Sequence, residues 1–154
     1  MESVYGLNAN PTEVERLDWN HHNVWLPLTG GRLLPGHILD HLLALGRPPA
    51  VADIATGTGI WLKSLATQLP ERSRLDGFDF VTTKFHPPSE LPAGVRLQFG
   101  NAFEPFPEKL QETYDLVHVR LLGSGLRSEQ WALVANNLRT LLRPGGYLFW
   151  EDVT

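Results

Sequence analysis

The segment Val51-Ala52-Asp53-Ile54-Ala55-Thr56-Gly57-Thr58-Gly59-Ile60-Trp61 has the residue types and spacing most able to do chemistry. An apolar run ends in an acid, passes through a glycine-rich turn and enters a helical pattern. Such a turn brings the backbone close to a ligand and aims helix N-terminal N–H groups at it. A dinucleotide fingerprint needs a third small residue, and Leu62 stands in its place. That weakens an NAD or FAD reading. No Lys-Ser/Thr pair directly follows the glycines, so the turn is not a phosphate-gripping P-loop. Twenty residues beyond Gly59 a second apolar run ends in Gly77-Phe78-Asp79, where an acid can accept both hydroxyls of a ribose. A third run ends in Gly100-Asn101-Ala102, and the side-chain carbonyl of Asn101 could accept from an adenine amino group. Together these positions describe a pocket for an adenosine whose attached group lies over the glycine turn. Each alone reads as a tight connection, a solvated strand end or a turn residue; their ordered spacing separates the two readings.

The histidines are weaker signals. His21 and His22 fall on an N-terminal helical pattern, where either could act as a general base for an acceptor hydroxyl. One buried and one exposed histidine is the plainer expectation. His118, at the end of a later apolar run, is a third candidate base. His37 and His41 stand four apart, but no Glu follows the first, as a zinc-protease helix requires; they read as a polar helix face, and no metal site is expected. Trp19, Trp25 and Trp61 could line an apolar pocket, with core packing as the default.

The elements that must position these residues follow from the hydrophobic pattern. Asn10-Pro11-Thr12-Glu13 reads as a helix start with a cap, an N1 proline and a capping box. Val14, Leu17, His21, Val24 and Leu28 follow at helical spacing. A second helix is expected from Pro35 to Leu45, buried through Ile38, Leu39, Leu42, Leu43 and Leu45, with Gly46 ending it. Strands are expected at Ala50–Ala55, Arg74–Phe80, Val95–Phe99, Tyr114–Val119 and Gly146–Val153, with a helix over 60–69. Ser128 is placed to cap a helix whose face is Trp131, Val134, Leu138, Leu141 and Leu142. Arg143-Pro144-Gly145-Gly146 reads as a stop and turn. The prolines of 81–93 leave room for a loop with at most one helical turn. Alternating strands and helices with continuous apolar strands predict an α/β domain: a Rossmann-like parallel sheet of about five strands, order 3-2-1-4-5, with flanking helices. Residues 1–154 read as a single domain, with 1–46 an N-terminal helical cap and 47–154 the sheet core.

The run Asp53-Ile-Ala-Thr-Gly57-Thr-Gly59-Ile-Trp61 resembles the first motif of class I S-adenosylmethionine-dependent methyltransferases, and more narrowly the fungal group associated with secondary metabolism. Glu15-Arg16-Leu17-Asp18, Gly30-Gly31-Arg32-Leu33, Gly77-Phe78-Asp79, Tyr114 to Arg120 and Leu142 to Leu148 agree with that group. The resemblance implies S-adenosylmethionine as cofactor, S-adenosylhomocysteine as product and a small-molecule acceptor. It implies that Asp53, Gly57 and Gly59 border the methionine portion, Asp79 holds the ribose and Asn101 meets the adenine. Ala55, Phe80, Ala102, Val119 and Arg120 would complete the cofactor contacts, and His118 would lie beside them. Ala55 stands where the family usually has Gly, and Asn101 where Asp is usual. Family members continue past the fifth strand, so this chain is expected to be truncated there, and an edge bearing Tyr147, Leu148, Phe149 and Trp150 is expected to be covered, by a second copy in a homodimer, by a partner protein or by a further C-terminal part. The alternatives are a non-catalytic partner subunit and a cyclase or isomerase on the same fold.

Bulk properties narrow the field. Hydrophobic residues at 42% and charged residues at 19% support a packed core and exclude a disordered chain. A net charge of -4 leaves no basic stripe, so nucleic acid is not an expected partner. The absence of cysteine excludes a disulfide framework. With no secretory signal pattern and no long apolar run, no membrane association is expected, and the cytoplasm or nucleus is the expected location.

Overall fold

The computed structural model describes residues 11–153. Five strands form one parallel sheet in the order β3-β2-β1-β4-β5. They are β1 (Ala50–Ile54), β2 (Arg74–Asp79), β3 (Val95–Phe99), β4 (Tyr114–Arg120) and β5 (Leu142–Glu151). The helices are α1 (Pro11–Asn20), α2 (Leu26–Leu28), α3 (Gly36–Leu43), α4 (Ile60–Leu65) and α5 (Gln130–Arg139). Every residue of β1 is buried, because both faces of the strand are covered. Its side chains alternate between two cores. Val51 joins Leu75, Leu116, Trp61, Leu62 and Leu65 under α3 and α4. Ala52 and Ile54 join Phe78, Val117, Val119, Val134 and Leu138 under α5. Strand order reverses at β1, which opens a crevice beyond the carboxyl ends of β1 and β4.

Several boundaries differ from the sequence expectation for physical reasons. The expected Asn10 cap lies outside the described residues; Glu13 grips Arg16 through two bonds of 2.8 and 2.7 Å. A π-helical turn at His21–Trp25 follows α1. His21, where the turn begins, is buried as its spacing predicted; the extra residue rotates the helix face beyond it, so Val24 and Leu28 are exposed instead of inward. Helix α3 is shorter than 35–45 and buries Ile38 and Leu42; Leu43, one helical step past Leu42, is 52% exposed. Helix α4 tightens into a 3₁₀ turn at Ala66–Gln68 before Pro70. The β2–β3 connection contains two 3₁₀ turns, Thr82–Lys84 and Pro88–Glu90, where at most one was expected. Ser128 does not cap α5: Glu129 is the N-cap residue, without a side-chain bond, and Gln130 Oε1 accepts the Arg127 N–H at 2.8 Å. Trp131 lies on the half-exposed side of α5, stacked on Trp150 at 4.8 Å.

The largest correction is at β5. The expected stop and turn at Arg143-Pro144-Gly145-Gly146 is an irregularity inside the strand. Leu142 already pairs with Tyr114, and pairing resumes at Leu116 with Tyr147. Gly145, at φ 83°, lets the extra residues bulge without reversing the chain. The strand ends at Glu151, two residues before the expected Val153. His37 and His41 both meet the Tyr147 ring edge-on, at 5.9 and 5.2 Å. Among the described residues no helix is long and apolar enough to cross a membrane.

Candidate functional site

A cavity of about 620 Å³ lies at the crevice where strand order reverses. Its floor is the glycine turn. Ala55 opens the turn at φ 57° and Gly57 continues it at φ 63°. An alanine in the left-handed region costs about 1–2 kcal/mol, which gives a physical reason for glycine being usual there. Thr56 donates its hydroxyl to Asp53 Oδ2 at 2.7 Å, and its N–H goes to the Phe78 carbonyl at 2.9 Å. The turn is thereby tied to both neighbouring strands. Gly59, at φ 89°, is the N-cap of α4. A Cβ there would meet Leu97 Cδ1 at 2.7 Å.

Asp79 ends β2 beside this turn. Its Oδ2 accepts the Gly57 N–H and its Oδ1 the Val81 N–H, both at 3.0 Å. Lys84 Nζ lies 3.9 Å from Oδ2. Each carboxylate oxygen has a further lone pair, so a buried acid at the cavity wall can still receive ligand hydroxyls. Phe80 and Val81 continue that wall.

Helix α1 covers the turn, with Arg16, Leu17 and Asn20 on the cavity side. A polar chain holds it there. Thr58 donates to Asp18 Oδ1 at 2.6 Å, Asp18 Oδ2 meets His86 Nε2 at 2.7 Å, and His86 Nδ1 meets Glu90 at 3.1 Å. Nothing local in the sequence joins these residues, since Asp18 and His86 are 68 positions apart.

His118 is fully buried between two acids. Its Nδ1 meets Asp53 Oδ1 at 2.8 Å and its Nε2 meets Glu151 Oε2 at 2.7 Å. The ring stacks on Trp61 at 3.6 Å. Burial opposes the imidazolium, but the bonds and charges of Asp53 and Glu151 outweigh it and raise its pKa. Glu151 was missed as a site residue, although it is an acid ending an apolar strand, the same signal that marked Asp53 and Asp79.

His21 has the opposite character. Its Nδ1 accepts from Arg120 Nη2 at 3.1 Å, so its Nε2–H donates to Ser64 Oγ at 2.9 Å. Burial first, then the Arg120 and His22 charges, push its pKa down to about 4. His22 is exposed, its ring edge-on to His21 with the centroids 5.0 Å apart. The structure brings Asp53, Ala55, Gly57, Asp79, Phe80, His118 and Arg120 to the cavity wall. Trp25 and Trp61 also line it, whereas Trp19 is 59% exposed.

Other expected positions lie back from the wall. Asn101 Oδ1 accepts the Phe103 N–H at 3.0 Å, the Ala102 carbonyl accepts from Asn137 at 3.0 Å, and Val119 packs in the core under α5.

The model of the family described as "Methyltransferase domain" matches residues 31–154. The chain belongs to the methyltransferase-domain family. It is 36% identical to Methyltransferase grgD of Penicillium sp., over 99% of this chain and 53% of that protein. The chain spans about half the length of the curated relatives it matches. Among solved structures, the methyltransferase fold recurs in the CMeT domain of the citrinin polyketide synthase. That match has a TM-score of 0.69 at 15% identity and covers 97% of this chain and 41% of that one. It recurs in a SAM-dependent methyltransferase from Aquifex aeolicus, with a TM-score of 0.60 at 19% identity, covering 90% of this chain and 70% of that one. The likeness to these structures shows the fold alone, which this chain builds as a Rossmann-like parallel sheet in the order β3-β2-β1-β4-β5.

Proposed function

We propose that the chain binds S-adenosylmethionine in the cavity and takes part in methyl transfer to a small-molecule acceptor of the secondary-metabolite kind. The observation that carries this reading is Asp79, a buried acid whose two oxygens tie the glycine turn to the end of β2. The family match supports the reaction class. The Penicillium relative, itself named a methyltransferase, supports methyl transfer, and the citrinin polyketide synthase domain shares the fold.

The residues fit the cofactor. A cavity of about 620 Å³ falls in the range that encloses ligands of this size. Trp61 Nε1 is a buried donor without a partner among the described residues, and Trp61 lines the cavity. Asp79 would receive the ribose hydroxyls on its remaining lone pairs. The Gly57–Thr58 backbone and Ala55 would border the methionine portion. The bound cofactor would supply an electrophilic methyl group on a sulfonium centre.

The chain's own contribution is alignment and exclusion of water. Helix α1, latched through Thr58 and Asp18, closes one side. Asp53 is held by His118 and Thr56 at the end of β1. Both nitrogens of His118 face carboxylates and the free lone pair of His21 is taken by Arg120. Positioning therefore explains the site better than histidine base catalysis. Calorimetric titration with S-adenosylmethionine and S-adenosylhomocysteine tests the reading. Wild type should bind and Asp79→Ala should bind about 100-fold more weakly; a well-folded wild type that binds neither compound sinks it.

A further inference from the structure

We infer that Arg120 is a carboxylate-binding residue of the cavity, placed to grip the anionic group of a ligand, either the amino-acid end of the cofactor or an acid on the acceptor. The inference deepens the proposed function and rests on it for the identity of the ligand.

Arg120 ends β4, lines the cavity and is only partly accessible. Its Nη2 donates to neutral His21, and its guanidinium lies 5.0 Å from the Trp25 ring centroid. Among the described residues no carboxylate reaches ion-pair distance of it. The other cations on the wall are differently placed: Arg16 is paired with Glu13 at 2.7 Å, and Lys84 stands 3.9 Å from Asp79. The two acids whose fields reach Arg120, Asp53 and Glu151, are both bonded to His118. Among the described residues, four of the five guanidinium N–H groups are thus left without an acceptor.

A partly buried cation with so few partners is costly to keep, and burial is the main cause lowering the Arg120 pKa. The surroundings nevertheless hold it still. Ser64 orients His21, His21 orients the guanidinium, and Trp25 covers one face. The next residue, Leu121, sits at φ 60°, with its N–H fixed to the Glu151 carbonyl at 2.9 Å. Backbone strain of this kind persists where the surroundings over-determine it. A pre-oriented planar fork matches a carboxylate through two parallel bonds. Asp53 and Glu151 nearby disfavour a dianion, which narrows the ligand to a monoanion.

The test compares ligands within each protein, so a variant with a weakened fold still reports. Wild type, Arg120→Met and Arg120→Lys are titrated with S-adenosylhomocysteine and with its analogue lacking the carboxylate. They are also titrated with benzoate and benzamide, with and without S-adenosylhomocysteine. Wild type should prefer the carboxylate in at least one pair by about tenfold or more. Arg120→Met should abolish that preference, and Arg120→Lys should keep part of it. Preference within the first pair places the anion on the cofactor; preference within the second places it on the acceptor. No preference in either pair, or one that survives in Arg120→Met, overturns the inference. Failure of the proposed function looks different: wild type would bind neither adenosyl compound yet still select benzoate through Arg120.

Discussion

The two ends of β4 handle buried charge in opposite ways. At the entry, Asp115 takes two bonds from Arg47, at 2.9 and 2.7 Å, one from the Ala50 N–H at 2.8 Å, and faces Arg143 at 3.3 Å. Beside it Asp76 accepts from the Tyr114 hydroxyl at 2.6 Å and from Arg74 at 2.7 Å. Arg74 also covers the Tyr114 ring. Burial, then the bond to Asp76, pushes the Tyr114 pKa up. At the exit, His118 is equally closed, but Asp79 keeps lone pairs and Arg120 keeps donors. Both ends carry acids, arginines and an aromatic ring. What separates them is saturation: the entry has spent its hydrogen-bonding capacity on the fold, and the exit holds some back at a cavity wall.

Breaking the saturated end should give the largest effect on stability. Asp115→Ala removes the partner of two half-exposed arginines and leaves the buried Ala50 N–H unpaired, and should cost about 2–3 kcal/mol in urea unfolding. Its ligand affinity per folded molecule should be unchanged. The acid limb sharpens this. Burial works against the Asp115 charge, but Arg47, the Ala50 N–H and Arg143 together hold its pKa below the ordinary value. That stability is complete above the usual carboxylate range and is lost as pH falls through the lower folded pKa. Asp115→Asn should flatten the limb; an unaltered acid limb would remove Asp115 from the account.

At the unsaturated end the ranking should reverse. Asp79→Ala should weaken S-adenosylhomocysteine binding by about 100-fold while lowering stability less than Asp115→Ala does. Equal losses of stability in the two variants would erase the contrast between the ends.

The two buried histidines at the exit divide the pH axis. His118, with its raised pKa, contributes stability that is full below the unfolded value near 6.5 and fades as pH rises through the folded value. His21, pushed down to about 4, contributes stability that is full above about 6.5 and fades on acidification toward 4. Replacing His118 with Gln should remove slope on the alkaline side. His21→Gln should remove it on the acid side, with a change on the order of 2 kcal/mol. The same slope lost in both variants would contradict these assignments.

The smallest effect should come from the latch. Thr58→Val removes the bond to Asp18 and the long 3.3 Å acceptor of the Ile60 N–H; it should cost about 1 kcal/mol, read as faster amide exchange in residues 11–20 with the sheet unaffected.

Sheet order and the glycine turn were legible in the sequence because they depend on local pattern: apolar runs, strand-ending acids and glycines at fixed offsets. The same signal would have found Glu151 had the acid ending the fifth run been weighed with Asp53 and Asp79. Pairing across distant segments left no such mark. Asp18 with His86, and His118 with Glu151, become neighbours only after the chain has folded. The Arg143–Gly146 segment misled for a related reason. Its residues suit a turn, but the pairing of Leu142 with Tyr114 fixes the chain direction before they are reached. His21 and Arg120 are 99 residues apart, so no spacing rule joins them.

The π-helical turn at His21–Trp25 sets the angular phase of everything on its two sides. His21 faces inward to Ser64 and Arg120, while four positions later Trp25 faces the cavity and the same guanidinium. Removing one residue from this turn would restore an ordinary helix and rotate the following wall by about 100°. A single-codon deletion here would therefore act less as a shortening than as a turned dial: the helix would remain, but Arg120 would lose its aromatic cover and the cavity would have a different face. Homologues that differ by one residue in this segment should thus be sorted by ligand preference before they are sorted by stability.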